Sequence, residues 1–304
     1  MIINNSYSFL AIGKTQESTE SQDFKRYIGV GSSFVVAVNP TKKELEDIYG
    51  REMANEPEYV VDTDNGKEAR VTFIVKTDPK TCNGIELINR VMFTLRGTPA
   101  YNRDQTRVQV IDQYGNTTWA DVEAAKEGRK LLSNSGKELK IDTKYRMACV
   151  GEVDLIGFLK AYLNVGDVFN YVNSTWVKKD NADEYLFSLE HISNYFKGDF
   201  SEIKEAIALQ PNNKVKLLYG IRTTDEGKQY QTVATRNGMV MANKAGSKAL
   251  EKVEKELENI KQNGGYANAE FKVRELAEFT VEPTNLETPA SSGSMGSEDA
   301  MPWE

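Results

Sequence analysis

Histidine occurs once in this chain, at His191, and cysteine twice, at Cys82 and Cys149. A structural zinc site needs four suitable ligands with local spacing, so such a site is excluded, and a disulfide scaffold is not expected. No cofactor is expected. No uninterrupted apolar run approaches the ~20 residues that a membrane-crossing helix requires. The opening Met1-Ile2-Ile3-Asn4-Asn5 lacks the basic start and apolar stretch of a signal peptide, so a cytoplasmic location is expected.

Catalytic signatures are scarce too. Ile12-Gly13-Lys14-Thr15 looks like the end of a phosphate-binding loop, but Ser8 stands where the first glycine belongs. Gly29-Val30-Gly31 lacks the third glycine of a dinucleotide motif. Asp62, Asp64 and Glu68 imitate a calcium loop, with Gly66 in a ligand position and no terminal glutamate. No nucleophile–base arrangement is present, and an enzyme is not expected.

What is present is charge, segregated along the chain. The 304 residues carry 38 Lys and Arg against 45 Asp and Glu, a net charge of −7. Four of those acids (Glu287, Glu298, Asp299 and Glu304) lie beyond Pro283, where there is no base. Residues 283–296 are rich in Pro, Ser, Gly and Thr and hold too little apolar surface to offset chain entropy, so a disordered tether is expected there. Its end, Glu298-Asp299-Ala300-Met301-Pro302-Trp303, places an apolar anchor among carboxylates. That is the build of a short docking peptide for a partner with a pocket and a basic rim. It resembles the acidic tip of bacterial single-stranded-DNA-binding proteins, except that Glu304 follows the aromatic residue here.

Residues 1–22 are polar and weakly patterned and read as a mobile arm. Strand patterns rich in Val, Ile, Phe and Thr cover Tyr27–Val38, Arg70–Lys76, Arg90–Arg96 and Arg107–Asp112. Asn39-Pro40-Thr41 starts a helix over Lys42–Tyr49 that Gly50 stops, and Asp62-Thr63-Asp64-Asn65-Gly66 marks a turn. Helical spacing marks Val153–Leu163 and Asp183–Ala208, within an insertion at about 151–210. Strands resume at Lys214–Thr223 and Gln229–Arg236, a charged helix is expected at about 244–261, and a last strand at Glu270–Val281. This order predicts an α+β fold of mainly antiparallel sheet, or a β-barrel with helical insertions, spanning residues 23–282 and followed by the acidic tail at 283–304.

Because successive strand residues point to opposite faces, each strand divides into two sides. Val71, Phe73 and Val75 oppose Arg70 and Lys76; Val91, Phe93 and Leu95 oppose Arg90 and Arg96. Arg107 lies opposite Val108 and Val110, and Lys214, Lys216 and Arg222 opposite Val215, Leu217 and Tyr219. No acid falls among the outward bases of these windows. Pairing in one sheet would give a basic track suited to a nucleic-acid backbone, although Lys and Arg also solvate the open faces of ordinary antiparallel sheets. Single-strand binders add aromatic rings for base stacking. The candidates are Tyr27 after Lys25-Arg26, Tyr101 beside Arg103, and Tyr114 and Trp119 in Asp112-Gln113-Tyr114-Gly115-Asn116-Thr117-Thr118-Trp119.

Arg26-Tyr27-Ile28-Gly29-Val30-Gly31, Val38-Asn39-Pro40, Gly50-Arg51-Glu52 and Gln113–Ala120 together resemble proteins of crAss-like and related Bacteroidetes phages that are labelled single-stranded-DNA-binding proteins. The resemblance implies an oligonucleotide-binding (OB-like) barrel decorated by helices, working in the host cytoplasm. It also implies protection of single strands during phage replication. From the residues themselves, sequence-independent binding is expected, in replication or recombination, with the tail recruiting partner proteins. The alternative expectation is a structural or packaged virion protein whose β-domain assembles through its edges. A nuclease using Asp62 or Asp64 is a third.

Overall fold

The computed structural model describes residues 29–82, 84–166, 168–223, 229–234, 240–242, 255 and 279–280. The expected arm at 1–22, all but Lys255 of the helix at about 244–261, most of the strand at Glu270–Val281 and the tail at 283–304 lie outside them. Within the described residues the chain is α+β, with mostly antiparallel strands and a main sheet that curls into a half-barrel.

The main sheet is built on β1 (Gly29–Val38), β3 (Gly66–Thr77), β4 (Ile88–Pro99) and β11 (Val215–Thr223). Its order runs β12 (Gln229–Ala234), β11, β1, β3, β4, β8 (Cys149–Val150). Shorter strands join it: β2 (Val60–Thr63) on β3, and β13 (Val240–Ala242) and β14 (Phe279–Thr280) on β11. β2 and β3 form a hairpin within the turn expected at 62–66, through Asp64-Asn65 and with Gly66 already paired in β3. Its inner face carries the apolar half of each alternating strand, with Val71, Phe73, Val75, Val91, Leu95, Val215, Leu217 and Tyr219 all buried.

That face is covered by α3 (Glu152–Leu163), α4 (Ile192–Tyr195) and α5 (Ser201–Ala208). The Phe73 and Phe158 rings meet at 4.4 Å and Phe93 and Phe158 at 5.5 Å, which ties β3 and β4 to the middle of α3. The start of α3 is fixed by charge. Glu152 is fully buried and accepts from the Cys149 backbone N–H at 2.9 Å and from Arg146 Nη1 at 3.0 Å. An acid in the first turn also meets the positive end of the helix dipole.

Across the other face lies α1 (Lys42–Tyr49). Thr41 accepts from the Glu44 N–H while the Glu44 carboxylate takes the Thr41 N–H, a reciprocal capping box, and Gly50 ends the helix at φ 66°. Leu45 and Met53 pack on Ile74, with Ala37, Ile48, Tyr49 and Ile88 around them. α1 therefore covers one end of the face that the sequence assigns to solvated bases.

A smaller sheet, β6 (Thr117–Asp121), β5 (Arg107–Asp112) and β7 (Tyr145–Met147), packs with α2 (Val122–Lys126) around Val108, Val110, Ala120 and Leu131. Where the sequence predicts a helix over Asp183–Ala208, only a 3-10 turn (Ala182–Tyr185), α4 and α5 are helical. Before them stands a β-hairpin, β9 (Phe169–Val172) and β10 (Thr175–Lys178), inside the stretch expected to be helical.

Candidate nucleic-acid interface

Register places the outward residues of β3 and β4 in rows: Ile74 opposite Arg90, Thr72 opposite Met92, Arg70 opposite Thr94, and Glu68 opposite Arg96. Glu68 corrects the expectation of an acid-free face. It lies two residues before Arg70, on the same side, and its carboxylate accepts from Arg96 Nε at 2.7 Å. Lys76 is likewise paired with Glu86 at 2.7 Å, and Lys214 with Asp78 at 2.6 Å. The Lys214 ammonium also sits 4.7 Å from the Phe34 ring centre. These three bases are neutralised locally, so the continuous track read from the sequence narrows.

On β3 and β4 it narrows to Arg70 and Arg90. Among the described residues neither guanidinium has a carboxylate within ion-pair distance. Arg90 lies at the margin of α1, near Tyr49 and Tyr59, and Nη2 donates to Met92 Sδ at 3.0 Å. Burial pulls its pKa below the ordinary arginine value; the two tyrosines oppose that shift and Arg70 adds to it. Burial also pushes the Tyr49 hydroxyl up to about 12 and raises that of Tyr59, which donates to the Pro40 carbonyl at 2.6 Å. Both phenols therefore stay neutral near pH 7 and cancel none of the positive charge. Half-buried guanidinium groups without a counter-ion carry a desolvation cost that a phosphate, accepting from the planar N–H fork, relieves.

Arg107 lies in the small sheet, not the main one, and its Nη2 donates to the Trp119 carbonyl at 3.0 Å. Trp119 pairs with Gln109 and is 38% exposed on the face opposite Val108 and Ala120. Tyr101 is bridged to Val108 and so belongs to the other face, beside α2, where it lines a shallow pocket with Gln105, Thr106 and Lys126. The two open rings thus do not form one platform. Arg103 is exposed in the turn between them.

Tyr114 is corrected from a stacking candidate to a core residue. Its ring is fully buried, its hydroxyl donates to Asp183 Oδ1 at 3.0 Å, and the Lys178 ammonium lies 4.7 Å from its centre. The cause is Asp112, whose carboxylate gathers the N–H groups of Tyr114, Asn116 and Asp142 at 2.8–2.9 Å and folds the loop inward. Gly115 completes that turn at φ 68°, where an added Cβ would lie 2.9 Å from Phe187.

Lys216 is half-buried on β11. The Arg222 backbone is paired in β11, and its side chain lies outside the described residues. Lys25, Arg26, Tyr27, Glu298, Asp299, Met301, Pro302 and Trp303 lie outside them as well. Sequence reasoning missed Tyr49 and Tyr59 as neighbours of Arg90; the aromatic end of the α1 apolar face is the signal that could have found Tyr49.

Among the described residues no group of three or more His, Cys, Asp and Glu could hold a metal ion, and no helix is long and apolar enough to cross a membrane. The chain matches no protein-family model, no curated protein and no solved structure.

Proposed function

We propose that this chain binds single-stranded DNA without reading its sequence, in replication or recombination. In this reading the curled sheet with its helices is an OB-like barrel, and residues 283–304 are a tether whose Met301-Pro302-Trp303 tip recruits replication proteins. The observation that carries the proposal is the Arg70–Arg90 cluster: two uncompensated guanidinium groups on the outer face of β3 and β4 in a chain of net charge −7. Phosphates would supply the missing counter-charge, and exposed rings such as Trp119 would stack on bases.

The test is fluorescence anisotropy of labelled oligo-dT and of a duplex across a salt series, with the full chain, a chain lacking residues 283–304, and Arg70→Ala. Salt-sensitive binding of the single strand, weakened by Arg70→Ala, is the expected result. Removal of the acidic tail, a competitor for the same bases, should tighten binding at low salt. A full chain that ignores oligo-dT at low salt would refute the proposal and leave the virion-protein reading in front.

A further inference from the structure

A second cationic surface lies on elements other than β3 and β4, on the β9–β10 hairpin and the loop beneath it. Among the described residues these two strands pair only with each other, turning through Asn173 and Ser174 at φ 48° and 64°. Two consecutive positive φ angles give a turn whose twist matches the strands. The hairpin is anchored at its base. Phe169 packs with Tyr114, Val168 and Ala182, and Lys178 Nζ lies 3.3 Å from Asp142 Oδ2.

Nearer the tip, Tyr171 and Trp176 pair across the strands with ring centres 4.8 Å apart. The Lys140 ammonium lies 5.3 Å from the Trp176 ring centre, which brings the 129–146 loop against the hairpin. Tyr171 remains 56% exposed. An isolated two-stranded hairpin is marginal in water, so leaving its tyrosine open forfeits burial that the element needs.

Charge identifies what would cover that ring. Residues 129–146 and 168–181 together carry eight Lys and Arg; Arg129 and Arg146 are paired with Glu127 and Glu152, and the other six stand against three acids, Glu138, Asp142 and Asp180, the opposite sign to the chain as a whole. Two of the acids are occupied, by Lys130 and Lys178. Lys137 and Lys144 are exposed, and neither has a carboxylate within ion-pair distance among the described residues. A ligand that suits this surface is a polyanion carrying flat groups free to stack, which is a single strand and not a duplex, whose bases are already stacked.

We propose that the β9–β10 hairpin is a base-stacking finger: Tyr171 receives a base, Trp176 backs it, and Lys137 and Lys144 meet flanking phosphates. This rests on the single-strand-binding function and adds to it a contact on a different element. The test compares oligo-dT with an abasic deoxyribose-phosphate strand of the same length, using the full chain, Tyr171→Ala, and Val177→Thr on the hairpin's opposite face, with far-UV circular dichroism to check folding. Tyr171→Ala should lose at least about fivefold on oligo-dT and bind the abasic strand like the parent chain, while Val177→Thr changes neither. In a chain carrying Trp119→Phe and Trp303→Phe, oligo-dT should quench the remaining Trp176. Unchanged oligo-dT binding by Tyr171→Ala, with the parent chain binding well, would overturn the finger and leave the function standing. A parent chain that binds neither strand would overturn both. Altered sedimentation of Tyr171→Ala without altered oligo-dT binding would make the hairpin a contact between copies of this chain and overturn the finger.

Discussion

Replacing Arg90 with methionine separates what this side chain does for the fold from what it does for a ligand. The guanidinium is drawn into the sheet beside Ile74, Tyr49, Tyr59 and Met92, and no carboxylate among the described residues offsets it. Burial lowers its pKa, yet arginine remains charged at neutral pH, so the folded state keeps a partly desolvated cation. Methionine fills a similar volume, suits the thioether and phenol surroundings, and loses a single donated bond, to Met92 Sδ. Exchanging buried charge for apolar volume is commonly neutral or stabilising by about 1–4 kcal/mol. Taking the low end for a half-buried group, Arg90→Met should raise Tm by about 2–4 °C. The same change should weaken oligo-dT binding by about tenfold, the equivalent of ~1.4 kcal/mol, and lower the salt slope by about 0.7, one phosphate contact to a single strand. Thermal unfolding followed by circular dichroism, run beside the anisotropy titration, reads both. A stability loss above about 2 kcal/mol would refute the reasoning, because a loss of that size marks a buried polar partner left unpaired.

Two further predictions concern the scaffold. Asp78 accepts from Lys214 Nζ and from the Lys80 N–H, and the Lys214 bond above all holds its carboxyl below the usual value near 3.8. A depressed folded pKa contributes stability that is present above the unfolded value and lost as pH falls through the folded one. Tm should therefore drop between pH 5 and pH 3 by more in the parent chain than in Asp78→Asn, and parallel curves would contradict this role. Gly151 stands at φ 84°, and a Cβ there would lie 2.1 Å from the Thr94 carbonyl oxygen, so Gly151→Ala should cost about 3 kcal/mol or more in urea unfolding. Gly157, inside α3 with open space around it, is the control, and Gly157→Ala should stabilise by about 0.5–1 kcal/mol.

Local signals in the sequence were reliable where local forces act alone. Asn39-Pro40-Thr41 and Gly50 predict α1, and the hydrogen bonds that start and stop it, at Thr41, Glu44 and Gly50, each lie within a turn of the helix. The inward halves of β3 and β4 follow from strict alternation. The fate of the outward halves depends on register: Glu68 meets Arg96 across strands, 28 positions apart, and no window along one strand reveals the pairing. Asp183–Ala208 shows helical spacing, yet side chains take over its backbone groups. The Glu202 carboxylate holds the Glu190 and His191 N–H groups at 2.6 and 3.3 Å, and Arg146 holds the Leu189 carbonyl at 3.2 Å, leaving only short helices. The β9–β10 hairpin hides because its turn uses Asn173 and Ser174 where a glycine would announce positive φ.

β1 lies between β3 and β11, and its residues 29–33 face 215–219. The Ser33 and Tyr219 hydroxyls meet at 2.5 Å across that seam. The β3 side can zip as soon as β3, which follows α1 and β2, is made. The other edge must wait until the ribosome has added everything from Asn39 through β11. At about 5–20 residues per second that wait is roughly 10–35 s, during which Val35 and Val38 lack part of the core that later encloses them. A nascent chain of this design spends most of its synthesis with one sheet edge open to its neighbours on a polysome, which makes the interval before residue 223 the period when a chaperone has most to protect.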